Sequence, residues 1–196
     1  MYRFIESIAC IDGYYPLLEK HQERVNRTFK KFYNSSAILH LEPLLPTINT
    51  AGKYKMRIAY NELEHTLEQS TYQQKVTHSI KVMEVPKFDY QYKFHDRTQL
   101  DHLYEEKGDA SDILIICDGK ITDSYYANVC LYDGCSWWTP DSFLLNGVKR
   151  QSLIETGKVK ETALTKSDLL SFQKLSLVNA LLDLEEIEIP TDRLIF

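Results

Sequence analysis

The sequence predicts an α+β protein of two lobes, a small N-terminal α/β lobe over residues 1–86 and a larger β-rich C-terminal lobe over residues 87–196. Three observations lead there. Period-two alternation of apolar and polar residues recurs along the chain, as expected of half-buried strands. One stretch near the N-terminus has helical spacing. At Pro86, which has no N–H to give to a β-ladder, the pattern changes.

Tyr2, Phe4 and Ile8 alternate with polar neighbours up to the turn pair Asp12-Gly13, and Tyr14 to Leu18 read as a returning edge. Leu18, Val25, Phe29 and Phe32 then recur at helical spacing between Glu19 and Asn34, with His21 and Arg24 nearly a turn apart. A second short helix is expected near Leu41 to Ile48, confined by Pro43 and Pro46. Tyr54, Met56, Ile58 and Tyr60 alternate with Lys53, Lys55 and Arg57, and two further strands are expected over Glu64–Tyr72 and Val76–Val85. The second lobe is expected to open at Tyr90, Tyr92 and Lys93, with Asp96 as N-cap of a helix through Leu100, Leu103 and Tyr104 that stops at Gly108.

The stretch from Ser111 to Gly134 follows. An apolar run turns at Asp118-Gly119 and resumes an alternation that carries Asp123 inward, so a cation is expected opposite it. Strands continue to Trp137-Trp138-Thr139-Pro140, and Asn146-Gly147 precedes a helix over VKRQSLIE bounded by Gly157. Thr165 and Asp168 have capping-box spacing, and a strand over Lys174–Asn179 leads into the closing segment.

Bulk properties exclude several classes of function. A chain of 196 residues that is 43% hydrophobic can build a real core, and its 23 basic against 28 acidic residues give a net charge of -5 with no basic stripe, so nucleic acid is not an expected partner. Cys10, Cys117, Cys130 and Cys135 form no CxxC pair and no metal-ligand rhythm with the six histidines, which reads as reduced thiols and no metal. No apolar run approaches the roughly 20 residues that span a bilayer, and MYRFIESIAC lacks a signal pattern. The expectation is a cytoplasmic protein with no membrane partner.

Taken singly, the candidate residues have ordinary readings. Lys93 ends a tyrosine-rich segment directly before a helix start, where partial desolvation would lower its pKa, but position alone favours a solvated lysine. An aspartate among tyrosines, such as Asp123, is more often a hydrogen-bonded structural residue. Gly147-Val148 could open an anion cradle at a helix start, a weak signal because every helix has such an end. Arg24 alone is a surface arginine.

Together they are more specific. The chain shows, in order, FIES at Phe4–Ser7, DG at Asp12-Gly13, HQER at His21–Arg24, YKFHDR at Tyr92–Arg97, DGKITDSYYANV at Asp118–Val129, TP at Thr139-Pro140, LLNGVKR at Leu144–Arg150 and LVNA at Leu177–Ala180. This series resembles the class IV aminotransferases, the fold-type IV pyridoxal-phosphate enzymes that include branched-chain and D-amino-acid aminotransferases and aminodeoxychorismate lyase. The resemblance implies a two-lobed D-amino-acid aminotransferase-like fold with pyridoxal 5'-phosphate as cofactor. It implies that Lys93 is the Schiff-base lysine, that Arg24 grips the phosphate, and that Asp123 is the partner of the ring nitrogen. It also implies that Asn128, Gly147 with the amides of Val148 and Lys149 that follow it, and the pair Asn179-Ala180 complete the cofactor site. A homodimer is implied as well.

Two departures from the family stand out. Asp123 falls where most members have glutamate, and the chain begins almost at its FES-like segment. His95 and Arg97 read as structural, although Arg97 and a tyrosine could help to hold the site. The resemblance leaves three functions in competition. The first is 4-amino-4-deoxychorismate lyase, releasing pyruvate to give 4-aminobenzoate in folate biosynthesis. The second is transamination of a small amino acid, and the third is a catalytically silent cofactor- or small-ligand-binding protein. NGVKR and LVNA look closer to the lyase branch.

Overall fold

The structure is a computed structural model and describes residues 3–33, 38–86 and 88–196. Tyr2, the expected helix end at Asn34 and Lys87, first residue of the expected second lobe, lie outside the described residues. The chain separates into two compact units, Met1–Gln73 with Tyr92–Asp96, and Gln74–Gln91 with Arg97–Phe196.

In the first unit, β1 (Phe4–Ile11), β2 (Lys53–Tyr60) and β3 (His65–Thr71) form an antiparallel sheet in the order β1-β2-β3. Phe4 faces Tyr60 and Ile8 faces Met56 across the β1-β2 pair, so the alternation read from sequence sets the register. Helix α1 (Leu18–Phe32) packs Val25 and Phe29 into a core with Phe4, Ile8, Met56, Ile58 and Tyr60. The expected returning edge reduces to a single bridge between Ile11 and Tyr14, because the chain is already helical at Leu18. The expected second helix is one 3-10 turn, Glu42–Leu44, with Pro43 within it and Pro46 just beyond it.

Tyr92–Asp96, expected to open the second lobe, instead runs along β1. The Ile5 amide donates to the Lys93 carbonyl at 2.9 Å and the His95 amide to the Arg3 carbonyl at 2.9 Å. Phe94 bridges Phe4, with ring centroids 5.3 Å apart. Edge pairing and aromatic contact decide where this segment goes, and neither is written in its local pattern.

The second unit holds β4 (Ile80–Val85), β5 (Asp112–Cys117), β6 (Lys120–Ser124), β7 (Asn128–Tyr132), β8 (Trp137–Pro140), β9 (Lys160–Thr162), β10 (Lys174–Val178), β11 (Glu188–Pro190) and β12 (Leu194–Ile195). Their order is β11-β10-β7-β6-β5-β4-β12, with β8 pairing β7 and β9. β4, expected in the first lobe, belongs here because it pairs in parallel with both β5 and β12. All six residues of β5 are buried, which accounts for its unbroken apolar run. Helix α2 spans Thr98–Glu105 and α3 spans Val148–Glu155. Asp96 is not the cap of α2; that position is Arg97, which makes no capping side-chain bond, while Asp96 lies in the segment aligned with β1. The capping box at Thr165 is present, with the Thr165 amide donating to Asp168 Oδ2 at 2.8 Å. No helix among the described residues is long and apolar enough to cross a membrane.

The Asp12-Gly13 turn is tight in two senses. Gly13 has φ +83°, and a Cβ there would lie 2.4 Å from the Ile48 carbonyl oxygen. Gly13→Ala should therefore lower stability by about 2–4 kcal/mol, combining the left-handed strain and the clash, measured as a fall in the urea midpoint. An unchanged midpoint would contradict this.

Candidate functional site

The candidate residues fall into two groups, one in each unit. In the first, Arg24 on α1 meets Glu6 on β1 in a fork: Nε to Oε1 at 2.8 Å and Nη2 to Oε2 at 2.5 Å. His21, one turn earlier on the same helix face, places Nδ1 2.5 Å from Glu6 Oε2. Glu6 and His21 are fully buried and Arg24 is 6% exposed. Burial alone would push the Glu6 carboxyl up, but the charge and hydrogen bonds of Arg24, with those of His21, hold it at about 2. Burial pushes the His21 imidazolium down against the pull of Glu6, and the charges of Arg24 and Lys93 push the same way. Lys93 is half-buried on the segment that runs along β1.

In the second unit, Asp123 on β6 points inward, as its alternation predicts, and is 6% exposed. Its Oδ1 accepts Asn128 Nδ2 at 2.8 Å from the facing position on β7, and its Oδ2 accepts the Leu145 amide at 2.9 Å. Among the described residues none forms an ion pair with Asp123, and Arg150 acts on it through its charge. Burial pushes its carboxyl up to about 7, against the lowering effect of Leu145, Asn128 and Arg150.

Gly147 precedes α3 with no side-chain cap, and the first turn of the helix carries no acid. A Cβ at Gly147 would lie 2.0 Å from Asn128 Oδ1, so only glycine lets this loop approach the strand bearing Asn128. Asn128 Nδ2 also donates to the Leu145 carbonyl at 2.9 Å, which joins Asp123, Asn128 and the residues before α3 in one network. Val148 is buried, while the Lys149 ammonium reaches Asp183 Oδ2 at 3.0 Å. Asn179 shapes its own turn, accepting the Leu181 amide at 2.8 Å, and Asn179 and Leu182 exchange backbone bonds around Ala180. Lys149 and Asp183 thus tie the start of α3 to the turn that follows β10.

Arg97 donates to the Tyr125 carbonyl at 2.6 Å and lies 4.5 Å from the Tyr125 ring centroid, while Tyr125 Oη donates to Asp101 at 2.7 Å. It holds the loop just after Asp123, whereas His95 is exposed. Sequence reasoning missed Glu6, Asp183 and the Leu145 amide. A signal existed for Glu6, which shares the strand face of Phe4 and Ile8. None existed for a backbone amide or for a pair 34 residues apart.

Comparison with known proteins then identifies the family. Residues 3–187 match the amino-transferase class IV family. An uncharacterized protein of Haemophilus influenzae is 30% identical over 185 residues, covering 92% of this chain and 98% of that one. A crystal structure of a Haemophilus somnus protein, provisionally named a 4-amino-4-deoxychorismate lyase, is 30% identical with a TM-score of 0.90, covering 94% of this chain and 98% of that one. A Thermotoga maritima protein, provisionally named a branched-chain amino acid aminotransferase, shares the fold at 16% identity and a TM-score of 0.78, covering 98% of this chain and 77% of that one. The chain belongs to the class IV aminotransferases, a family of pyridoxal-phosphate-dependent enzymes with the fold-type IV architecture.

Proposed function

We propose that this protein is a 4-amino-4-deoxychorismate lyase, releasing pyruvate and forming 4-aminobenzoate, and that it works as a cytoplasmic homodimer. The observation that carries this reading is the 30% identity, across nearly the full length of both chains, with the Haemophilus somnus protein provisionally given that name. Pyridoxal 5'-phosphate, when bound, supplies an electron sink for the pair left behind by a lost Cα proton.

The residues present fit that cofactor. A buried arginine, Arg24, suits a phosphate because its guanidinium stays charged and carries donors beyond the Nε and Nη2 contacts to Glu6. In the second unit, the uncapped start of α3 presents the amides of Val148 and Lys149, a helix end that suits an anion and is worth about 0.3–1 kcal/mol and up to about 2 kcal/mol if buried. Asn179-Ala180 borders that cradle, tied to it through Asp183 and Lys149. Lys93 would supply the primary amine that holds the carbonyl of the cofactor, and the same amine, when free, would serve as the base that takes up the substrate's Cα proton.

Asp123 would hold a proton on the ring nitrogen of the bound cofactor. A carboxyl with a pKa near 7 and only neutral donors around it is poised to ionise when a cationic ring arrives. Asn128 and the Leu145 amide fix both of its oxygens, and Gly147 gives Asn128 room to do so.

Pyruvate should appear from 4-amino-4-deoxychorismate with no oxo-acid present. Product formation only when an oxo-acid acceptor is added would replace the lyase reading with an aminotransferase one, and cofactor retention with neither activity would leave a silent binder.

Asp123 also makes a pH-dependent prediction for the cofactor-free protein. Its folded pKa of about 7 lies above the ordinary 3.8, so between these values the folded chain keeps a proton that the unfolded chain has lost. Stability from this residue is therefore fully present at low pH and is lost as pH rises toward 7, at up to about 1.4 kcal/mol per pH unit. Urea unfolding at about pH 4 and about pH 7 should show the difference between Asp123→Asn and the parent moving in the variant's favour by about 3 kcal/mol. A pH-independent difference would remove the raised pKa.

A further inference from the structure

The Arg24 guanidinium is held more tightly than phosphate binding alone would require. Its Nε and Nη2 go to the two oxygens of one carboxylate, Glu6, at 2.8 and 2.5 Å, and that carboxylate has no access to water. A bidentate contact of this kind fixes the plane of the guanidinium as well as its position, and so fixes where Nη1 points. The carboxylate is fixed in turn. An ionised carboxylate only accepts, so His21 Nδ1, 2.5 Å from Oε2, must carry the proton. In the neutral ring Nε2 is then a bare acceptor, and it is buried with no hydrogen-bond partner among the described residues. Burying such an atom costs stability, so the His21–Glu6 contact is maintained against a penalty.

We propose that Glu6 is a positioning residue, orienting Arg24 toward the phosphate of the cofactor, and that His21 orients Glu6. This rests on the proposed role of Arg24 as the phosphate ligand. The geometry makes a prediction opposite in sign to simple electrostatics. If Glu6 only neutralised Arg24, removing its charge would strengthen binding of an anion. If it positions Arg24, removing its charge lets the guanidinium rotate and weakens that binding.

The test compares the affinity of the cofactor-free full-length protein for pyridoxal phosphate with its affinity for pyridoxal, which lacks the phosphate. Positioning predicts that Glu6→Gln lowers the ratio of the two affinities about tenfold, with pyridoxal binding nearly unchanged. It predicts a fall at least as large for Arg24→Ala. A ratio that is unchanged or raised in Glu6→Gln, with Arg24→Ala lowering it, overturns the positioning role alone. A ratio unchanged in Arg24→Ala overturns the phosphate role of Arg24 and the proposal with it. Should Glu6→Gln not fold, His21→Leu and His21→Asn make the same comparison. Loss of the donor should lower the ratio about threefold, and asparagine, which returns a donor near the place of Nδ1, should recover most of it. Equal ratios in the parent and both His21 variants overturn the proposal.

Discussion

A carboxylate taken out of water must find a cation or give up its charge, and this protein contains both outcomes. Glu6 has a guanidinium and an imidazole against it and is held at about 2. Asp123 has an amide side chain and a backbone N–H against it and sits near 7. The two are buried to nearly the same degree, so the difference comes from their partners. Glu6 is a finished ion pair within one unit. Asp123 is an acid whose charge is not balanced by any ion pair among the described residues.

The surrounding architecture serves these two groups. β1 carries Glu6 into the core beside Phe4 and Ile8, and α1 brings His21 and Arg24 to it on one face. β6 and β7 place Asp123 and Asn128 opposite each other, and Gly147 allows the loop before α3 to close on the pair. Arg97 pins the intervening loop at Tyr125. Asp123 is held by close backbone approach, with the Leu145 amide at 2.9 Å.

Much of this is legible in the sequence where the signal is local. Asn-Gly before VKRQSLIE and Gly157 after it bound α3, and the Asp12-Gly13 pair ends β1. Parity along the strand sends Asp123 inward. Pairing partners are another matter. β4 reads as a strand from its own residues, yet its membership in the larger sheet depends on β5 and β12, which come later in the chain. Tyr92–Asp96 reads as the start of a new lobe because it follows Pro86, whereas its backbone bonds go to β1. The partners of Arg24 were within reach, since Glu6 shares the parity of Phe4 and Ile8 and His21 lies three residues from Arg24. Partners made by backbone amides, such as Leu145, leave no mark in side-chain identity.

If Lys93 is the amine that receives the cofactor, it should be marked by it. Borohydride reduction of the protein loaded with pyridoxal phosphate, followed by peptide mass mapping, tests it directly. The cofactor mass should be fixed on the peptide containing Lys93 and should be absent from Lys93→Ala. Its appearance on a different lysine, or on none, would contradict the account.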